Sequence, residues 1–521
     1  MAERRYPADR EAGRAARLLG ARRGQPEPAG IDAPIAGAQH HHGLRVAEEH
    51  ERLDDLAHLA AQGGGGLSGG SGRVAQHPNI DVKAAGHEAR LQSRRRRVHG
   101  WDLTRAQLPF RTGSCAAASG ILVRRDCPAE AVPMNRPAEG TPSEGGDSAG
   151  AFGSSDPFSL GVEEELFLVD PVTGRQANTS AAVLERLGDV PGTVERELHA
   201  CQIELVTEIH ASAAEAVAGL GAMRRAVLGT GAGLLGSGTH PAAAEGDAEI
   251  TDKERYERIR YLLGDAVATP VGGLHIHIGM PDAETAIRAF NGLRRHLPLL
   301  QALAANSPFR HGRDTGLASA REVTLRGWPR SGVPRAMANY SDFCDMTAVL
   351  TRAADVPDYT WFWWKLRPHP RLGTVEIRAL DVQASLADTA TLVALVHCLA
   401  RHEAENGPGR EPPAEVLEEG MFRAARFGVH AHLPDADGRL QPVSDLLEAA
   451  LDRIGGLAGE LRCRRELSRV PEIIRVGGGA GRQHDSYGIA GLDAVIRDLT
   501  ELTRSFAEVT SGRRRATVSD G

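Results

Sequence analysis

The stretch FSLGVEEELFLVD, residues 158–170, decides the fold because it places three glutamates inside an apolar run. Alternation with a period of two residues is typical of a β-strand that has two different faces. Glu163 and Glu165 fall on one face, and Glu164 falls on the other face together with apolar residues. A buried carboxylate is costly unless it has a partner or a metal ion. For Glu164 we expect an adjacent basic residue or a strand edge that is open to water.

The composition excludes several classes of protein. The chain has 521 residues, 41% of them hydrophobic, and a formal net charge of −7, which argues against a general nucleic-acid binder. No apolar run reaches the roughly 18 residues of a membrane span, and the charged N-terminus lacks the apolar core of a signal peptide. The six cysteines show no CxxC spacing. A reducing cytoplasm is therefore the expected location.

The first 150 or so residues of the chain differ in composition from the rest. It is rich in glycine and includes the run RRRR at 94–97, which is typical of a solvated charge run or of a nucleic-acid patch. We predict that this part is a mostly disordered extension, and Met134 is a candidate natural start of translation. The predicted parts are the extension at 1–155, a catalytic domain at 156–510 and a flexible tail at 511–521.

Three further segments repeat the half-polar strand pattern. They are CQIELVTEIH (201–210), GGLHIHIGM (272–280) and GTVEIRALDV (373–382). Each places a polar pair on one face: Gln202 with Glu204, with Glu208 further along, then His275 with His277, and Glu376 with Arg378. Half-polar strands next to helices predict an α+β fold with a largely antiparallel sheet, flanking helices and one chemically active face.

The helices have recognisable start signals. Ser212 with Glu215 forms a capping box for a helix that runs to about Leu228. Asp282 caps a helix of about twenty residues that we expect to kink near Pro298. A long helix is predicted over 388–405.

The polar face of the predicted sheet suits metal ions and a nucleotide. A single glutamate or histidine on a strand is usually solvated, but four such strands in one chain weaken that interpretation. Mg²⁺ and Mn²⁺ prefer oxygen ligands, and several carboxylates on rigid strands can hold such ions against a nucleotide triphosphate. Arg378 is suited to the charge of a phosphoryl group in transfer.

Three other segments have ambiguous signals. The arginine- and hydroxyl-rich segment at 305–330 fits a site for carboxylates or phosphates, or an exposed basic loop. The aromatic segment WFWWKLRPHP (361–370) is consistent with a pocket wall or with buried packing. The segment GGGAGRQHDS (477–486) does not match a P-loop, and we predict a loop there.

Several motifs, taken in order, resemble one known family. They are GVEEELFLVD, QIELVTEIH, GLHIHIGMPD, ANSPFRHGRDTGLASAR and WFWWKLRPHPRLGTVEIRALD. Together, from about Ser159 to about Thr510, they resemble the bacterial carboxylate–amine ligases of the glutamate–cysteine ligase type 2 family. The resemblance implies a glutamine synthetase-like catalytic domain, whose antiparallel sheet forms the floor of the site, and ATP-dependent amide formation with Mg²⁺ or Mn²⁺.

The resemblance also implies roles for individual residues. The implied metal ligands are Glu163, Glu165, Glu204, His275 and Glu376. Arg378 resembles a phosphate-contacting catalytic arginine, and Glu376 and His275 are the other implied catalytic residues. Ser319 and Arg321 resemble residues near the bound substrate and nucleotide, whereas the role of His277 stays open.

The predicted reaction joins the γ-carboxylate of glutamate to the amine of cysteine through an acyl phosphate, with weak activity on this pair. The alternatives are another metal-dependent phosphotransferase or hydrolase, or a non-catalytic binding protein on the same fold. The expected partners are small amino acids, with no nucleic acid or membrane. The oligomeric state is open, with a homodimer as one option.

Overall fold

The computed structural model of the chain describes residues 150–505. The predicted tail at 511–521, Met134 and nearly all of the predicted extension lie outside the described residues. Within them, the chain joins the fold before the predicted boundary at 156. The amide of Ala151 donates to the carbonyl of Pro370 (2.7 Å), and that of Gly153 donates to the carbonyl of Met280 (2.9 Å).

The centre of the fold is a seven-stranded sheet with the strand order β2-β3-β1-β5-β9-β8, and β4 pairs with the second half of β1. Every pairing in it is antiparallel. Two small hairpins, β6–β7 and β10–β11, lie outside it. The strands are β1 Leu160–Val169, β2 Thr193–Arg196, β3 Gln202–Val206, β4 Gly233–Leu235, β5 Gly273–Gly279, β6 Phe309–Arg310, β7 Arg313–Asp314, β8 Leu366–His369, β9 Thr374–Asp381, β10 His432–Pro434 and β11 Leu440–Pro442.

The α-helices of the described residues are α1 Ser180–Arg186, α2 Ala213–Gly229, α3 Glu254–Leu263, α4 Ala283–Arg294, α5 Leu297–Ala304, α6 Ala320–Leu325, α7 Tyr340–Ala354, α8 Leu386–Asn406, α9 Ala414–Phe427, α10 Val443–Ile454, α11 Leu457–Glu460, α12 Arg464–Leu467, α13 Val470–Arg475 and α14 Gly478–Arg504. The helices that contact strands of the large sheet are α1, α2, α4, α5, α6, α8 and α14. The α+β fold with a largely antiparallel sheet and flanking helices is confirmed.

Alternation divides the large sheet into two faces. All side chains of the core face are buried, and Glu164 is the one charged residue among them: Val162, Glu164, Leu166, Ile203, Leu205, Leu274, Ile276, Ile278, Val375 and Ile377. The opposite face carries the polar residues and is called the cavity face below. Burial of the apolar side chains drives the helices onto the core face.

The start signals of the helices are confirmed. The Ser212 hydroxyl accepts a hydrogen bond from the amide of Glu215, and α2 ends at Gly229. Asp282 caps α4 through the amide of Thr285 (2.8 Å). The helix predicted over 388–405 extends slightly further at both ends, as α8.

Two local predictions are wrong. The single helix kinked near Pro298 is instead two helices, and Pro298 lies in the first turn of α5, where its missing N–H costs nothing. The segment 477–486 is helical, not a loop, and forms the start of α14. Its glycines are needed for packing, because a Cβ at Gly479 would lie 2.3 Å from Oδ1 of Asn306.

Candidate active site

The polar pairs of the strands meet on the cavity face. Glu165 lies opposite Glu204 on β3, and Glu163 lies opposite His275 on β5. On the other side of β5, His277 lies opposite Glu376 on β9. Directly opposite residues on antiparallel strands have neighbouring side chains. The register therefore collects the predicted metal ligands into one continuous row across the sheet.

Two histidines connect the carboxylates of this row. His275 Nδ1 donates to Oε2 of Glu163 (3.0 Å), and its Nε2 lies 3.6 Å from Oε1 of Glu165. His277 Nε2 lies 3.1 Å from Oε1 of Glu163 and 3.8 Å from Oε1 of Glu376. His277, whose role the sequence left open, therefore lies between two predicted metal ligands.

Two arginines neutralise Glu376. Arg367 on β8 donates to Oε2 of Glu376 through Nε (2.9 Å) and Nη2 (2.7 Å), and Arg378 Nη1 donates to Oε1. Arg367 lies opposite Glu376 in the register, so strand pairing explains the contact. Sequence reasoning missed Arg367. The available signal was the alternation of Arg367 and His369 in the aromatic segment.

A further carboxylate, Glu197, comes from the turn between β2 and β3. Its side chain accepts a hydrogen bond from the amide of Leu198 and lies close to Glu165 and Glu204. Glu197 was also missed by sequence reasoning, because it lies outside the alternating strand pattern.

The carboxylates and histidines form three overlapping groups that can each hold a metal ion. In each group, one ligand atom per residue lies within 4.8 Å of the others. The groups are Glu163–Glu204–His275, Glu163–His277–Glu376 and Glu165–Glu197–Glu204. This donor set, mainly carboxylate oxygens with imidazole nitrogen, fits Mg²⁺ or Mn²⁺ better than a thiolate-binding metal.

The electrostatics differ along the row. Burial raises the pKa of Glu204 well above its usual value, and the nearby charges of Glu163, Glu197 and Glu165 raise it further. Burial and Glu165 likewise raise the pKa of Glu197 to about 7. At the end of the row formed by Glu165, Glu197 and Glu204, the carboxylates therefore outnumber the nearby cations that could neutralise them.

The other end of the row is better compensated. Burial opposes ionisation of Glu376, but Arg367, Arg378 and His277 hold its pKa well below the usual value. Burial likewise opposes ionisation of Glu163, yet His277 and His275 lower its pKa well below the usual value. Glu163 and Glu376 are therefore carboxylates at neutral pH.

A cavity of about 290 Å³ opens onto the row. Its size is at the lower end of small-molecule sites. Besides several aliphatic and neutral polar residues, its lining combines carboxylates with cationic and aromatic side chains. The residues concerned are Glu165, Glu197, Glu204, His275, Arg255, Arg321, Lys365, Arg367, Arg378, Tyr256, Trp328 and Trp363. The aromatic segment at 361–370 thus supplies a cavity wall through Trp363, while Trp361 and Phe362 are buried.

The structure separates the two remaining predicted site residues. Arg321 lines the cavity, and its Nη2 donates to the carbonyl of Arg378 (3.2 Å), while its Nε has no hydrogen-bond partner within residues 150–505. Ser319 is buried at the start of α6, where its hydroxyl donates to Oδ1 of Asp381 (2.9 Å). Ser319 does not line this cavity.

Gly273 allows these side chains to approach the backbone of β5. A Cβ at this position would lie 2.7 Å from Nη2 of Arg321, 2.9 Å from Oε2 of Glu165 and 2.9 Å from Nε2 of His275. The amide of Gly273 donates to Oε2 of Glu165 (2.6 Å). A side chain at this position would therefore displace site residues.

A second cavity, of about 510 Å³, lies between the start of α8 and α14. None of its lining residues belongs to the three carboxylate–histidine groups. Within residues 150–505, no helix is long and apolar enough to cross a membrane.

The fold has a counterpart among solved structures. The structure is similar to the crystal structure of a glutamate–cysteine ligase from Francisella tularensis in complex with AMP, with a TM-score of 0.52. The match covers 68% of this chain and 91% of the other, at 15% identity. At this identity the likeness shows the fold alone.

The sequence comparisons then show the family. The profile described as glutamate-cysteine ligase family 2 (GCS2) matches residues 159–492. A Rubrobacter xylanophilus protein named "Putative glutamate--cysteine ligase 2-3" is 41% identical over 361 residues, which cover 68% of this chain and 99% of that protein. A Gloeobacter violaceus protein named "Putative glutamate--cysteine ligase 2" is 34% identical over 365 residues, covering 67% and 97%. The chain belongs to glutamate-cysteine ligase family 2, and the resemblance seen in the motifs is confirmed.

Proposed function

We propose that the protein is an ATP-dependent carboxylate–amine ligase that joins the γ-carboxylate of glutamate to the amine of cysteine. The observation that carries the proposal is the row of carboxylates on the cavity face, which offers three overlapping groups of metal ligands beside two arginines. Family membership supports the ligase class, and the relatives' names support this pair of substrates.

In this proposal, the residues that would hold metal ions are Glu163, Glu165, Glu204, His275 and Glu376, together with Glu197 and His277, which belong to the same three groups. When bound, Mg²⁺ or Mn²⁺ would supply charge neutralisation for the triphosphate. Because the ligands lie on rigid strands of one sheet, the chain itself provides the positioning on which phosphoryl transfer depends.

In the first proposed step, a γ-carboxylate oxygen of glutamate attacks the γ-phosphorus of ATP, and ADP leaves. Arg378 and Arg367 lie at the cavity with guanidinium groups that can stabilise the charge of the phosphoryl group in transfer. Arg321, whose Nε has no hydrogen-bond partner among the described residues, can orient an anionic group of the substrate. In the second step, the amine attacks the acyl carbon, phosphate leaves and the amide forms.

The test is a screen of purified protein with ATP, Mg²⁺ or Mn²⁺ and pairs of amino acids, followed by mass spectrometry. Glutamate labelled with ¹⁸O in its γ-carboxylate should transfer one ¹⁸O to the released phosphate, because the acyl phosphate keeps one carboxylate oxygen on phosphorus. We expect ADP and γ-glutamylcysteine in equal amounts. ADP without any amide product would instead indicate a phosphotransferase or hydrolase, and binding of nucleotide without ADP release would indicate a binding protein.

An ATP-consuming ligase of amino acids would act in the cytoplasm, where both substrates are available, and we propose that location.

A further inference from the structure

The third glutamate of the opening stretch, Glu164, lies between two predicted metal ligands but points to the core face. Its side chain is fully buried and so is that of its partner, Arg224 on α2. Arg224 donates to Oε2 of Glu164 through Nε (2.8 Å) and to Oε1 through Nη2 (2.7 Å). The hydroxyl of Thr389 on α8 also donates to Oε1 (3.0 Å). The basic residue expected next to Glu164 is therefore present.

Arg224 has a second set of acceptors beyond the end of β9. Its Nη1 donates to the carbonyl of Ala384 (2.8 Å), and its Nη2 donates to the carbonyl of Gln383 (2.8 Å). β1 and β9 are not neighbours in the sheet, because β5 lies between them. One buried guanidinium thus connects β1 to the segment that directly follows β9.

This connection matters for the cavity face above it. The group Glu163–His277–Glu376 takes one ligand from each of β1, β5 and β9. Neighbouring strands lie about 4.8 Å apart, so β1 and β9 are separated by roughly 10 Å. A small change in the distance or twist between the two outer strands would move Glu163 and Glu376 apart, and they would no longer converge on one ion.

We propose that Glu164, Arg224 and Thr389 form a positioning clamp that fixes β1 relative to β9 and thereby sets the spacing of the metal ligands. The proposal rests on the metal site of the proposed function and assigns a role to residues that never contact substrate or metal. A bidentate Arg–carboxylate pair has a fixed planar geometry, which suits it to this role. A purely stabilising ion pair would support folding without any effect specific to the metal site.

The test is a double variant, Glu164→Leu with Arg224→Met, that removes the clamp and leaves no unpaired charge. Buried ion pairs replaced together by apolar residues of similar volume commonly leave a protein folded. The matched control is Glu403→Leu with Arg295→Met. Glu403 is buried and accepts hydrogen bonds from Arg295 Nη2 (2.6 Å) and His296 Nε2 (2.9 Å), and these contacts reach no strand of the sheet.

The readout is binding of Mn²⁺ alone, measured from the signal of free Mn²⁺ by electron paramagnetic resonance. We expect the clamp variant to bind Mn²⁺ about tenfold to a hundredfold more weakly than the wild type, as when residues that orient metal ligands are removed. The control should remain within about twofold, because its pair is not coupled to the ligands. If the clamp variant fails to fold, Thr389→Val removes a single hydrogen bond and should still weaken binding by about threefold.

Each other outcome has a definite meaning. Wild-type affinity in a folded clamp variant, or equal weakening in the clamp and control variants, would overturn the clamp. A wild-type protein that binds no Mn²⁺ would overturn the proposed metal site and the clamp with it. A wild-type protein that binds Mn²⁺ but forms no amide would contradict the proposed reaction and leave the clamp to be judged on the affinities alone.

Discussion

The two faces of β1 place neighbouring glutamates in opposite situations. On the core face, Glu164 has a bidentate arginine and a hydroxyl donor, so both of its oxygens are satisfied by the chain itself. On the cavity face, Glu163 and Glu165 share histidines with other carboxylates. The carboxylates of the cavity face are Glu163, Glu165, Glu197, Glu204 and Glu376.

The comparison shows that burial does not distinguish a functional carboxylate from a structural one. Glu164 is more deeply buried than Glu163, yet its charge is matched by its partners. What distinguishes the cavity face is charge that its own cations leave unmatched, seen in the raised pKa values of Glu204 and Glu197. Such an excess is stable only if protons or bound cations compensate for it.

The largest expected effect is on turnover when the cavity face loses one ligand. Glu163→Gln keeps the shape of the side chain but removes a charge that two of the metal-ligand groups share. We expect amide formation to fall by about a thousandfold, roughly 4 kcal/mol of transition-state stabilisation. Circular dichroism should show an unchanged fold, and a coupled assay for ADP would measure the rate.

The control for this prediction is Glu208→Gln. Glu208 belongs to the same half-polar segment, CQIELVTEIH, as Glu204, but it lies beyond the end of β3 and is exposed. This variant should retain wild-type turnover. Equal activity in both variants would show that the carboxylates of the cavity face are not needed for the reaction.

Removing one partner of the ion pair on the core face should instead lower the stability of the protein. Arg224→Met leaves Glu164 as a buried charge without its main partner. We expect the free energy of unfolding to fall by about 3–5 kcal/mol, measured by urea denaturation. Adding Glu164→Leu should restore most of the loss, and a single variant as stable as the wild type would contradict the assigned ion pair.

Alternation and local start signals predicted the faces of the strands and the helices that follow them, because these features depend on residues close together in sequence. The motifs added roles for residues such as Glu163, Glu376 and Arg378. Glu197 could not be found in this way, because its place beside Glu165 depends on how the chain turns between two strands. Arg367 needed the pairing of β8 with β9, and the close packing of Gly479 at the start of α14 depends on its contact with Asn306. These features depend on tertiary contacts that override local preference.

A third prediction concerns the loss of stability at acidic pH through a buried histidine on the core side of the sheet. His397 on α8 is fully buried, its Nε2 donates to the carbonyl of Phe158 (2.7 Å), and its Nδ1 has no partner within residues 150–505. Burial lowers the pKa of His397 to about 4 from its usual 6.5. The unfolded chain therefore binds more protons between these values, and this residue's contribution to stability is lost as the pH falls from about 6.5 to about 4.

The expected loss from His397 is about 3 kcal/mol over this range. His397→Gln cannot gain a proton, so its stability should depend less steeply on pH than that of the wild type. Urea denaturation of both proteins at several pH values between 4 and 7 would measure the difference. Parallel pH profiles would show that His397 does not resist protonation.

When no metal is bound, the contribution of the cavity face to stability should change with pH in the opposite direction, through Glu197. The pKa of Glu197 is raised from 4.5 to about 7 by burial and by Glu165, so the folded state binds more protons than the unfolded state between these values. The stability that the neutral form provides is present below pH 4.5 and is lost as the pH rises through 7.

Glu197→Gln stays neutral throughout. In a chelator at pH 8 it should therefore be more stable than the wild type by about 2 kcal/mol, allowing for partial exposure of the side chain. Near pH 4 the two proteins should be equally stable, and added Mn²⁺ at pH 8 should favour the wild type because the variant has lost a ligand. If Glu197→Gln were the less stable protein in chelator at pH 8, the carboxylates of the cavity face would not be in excess.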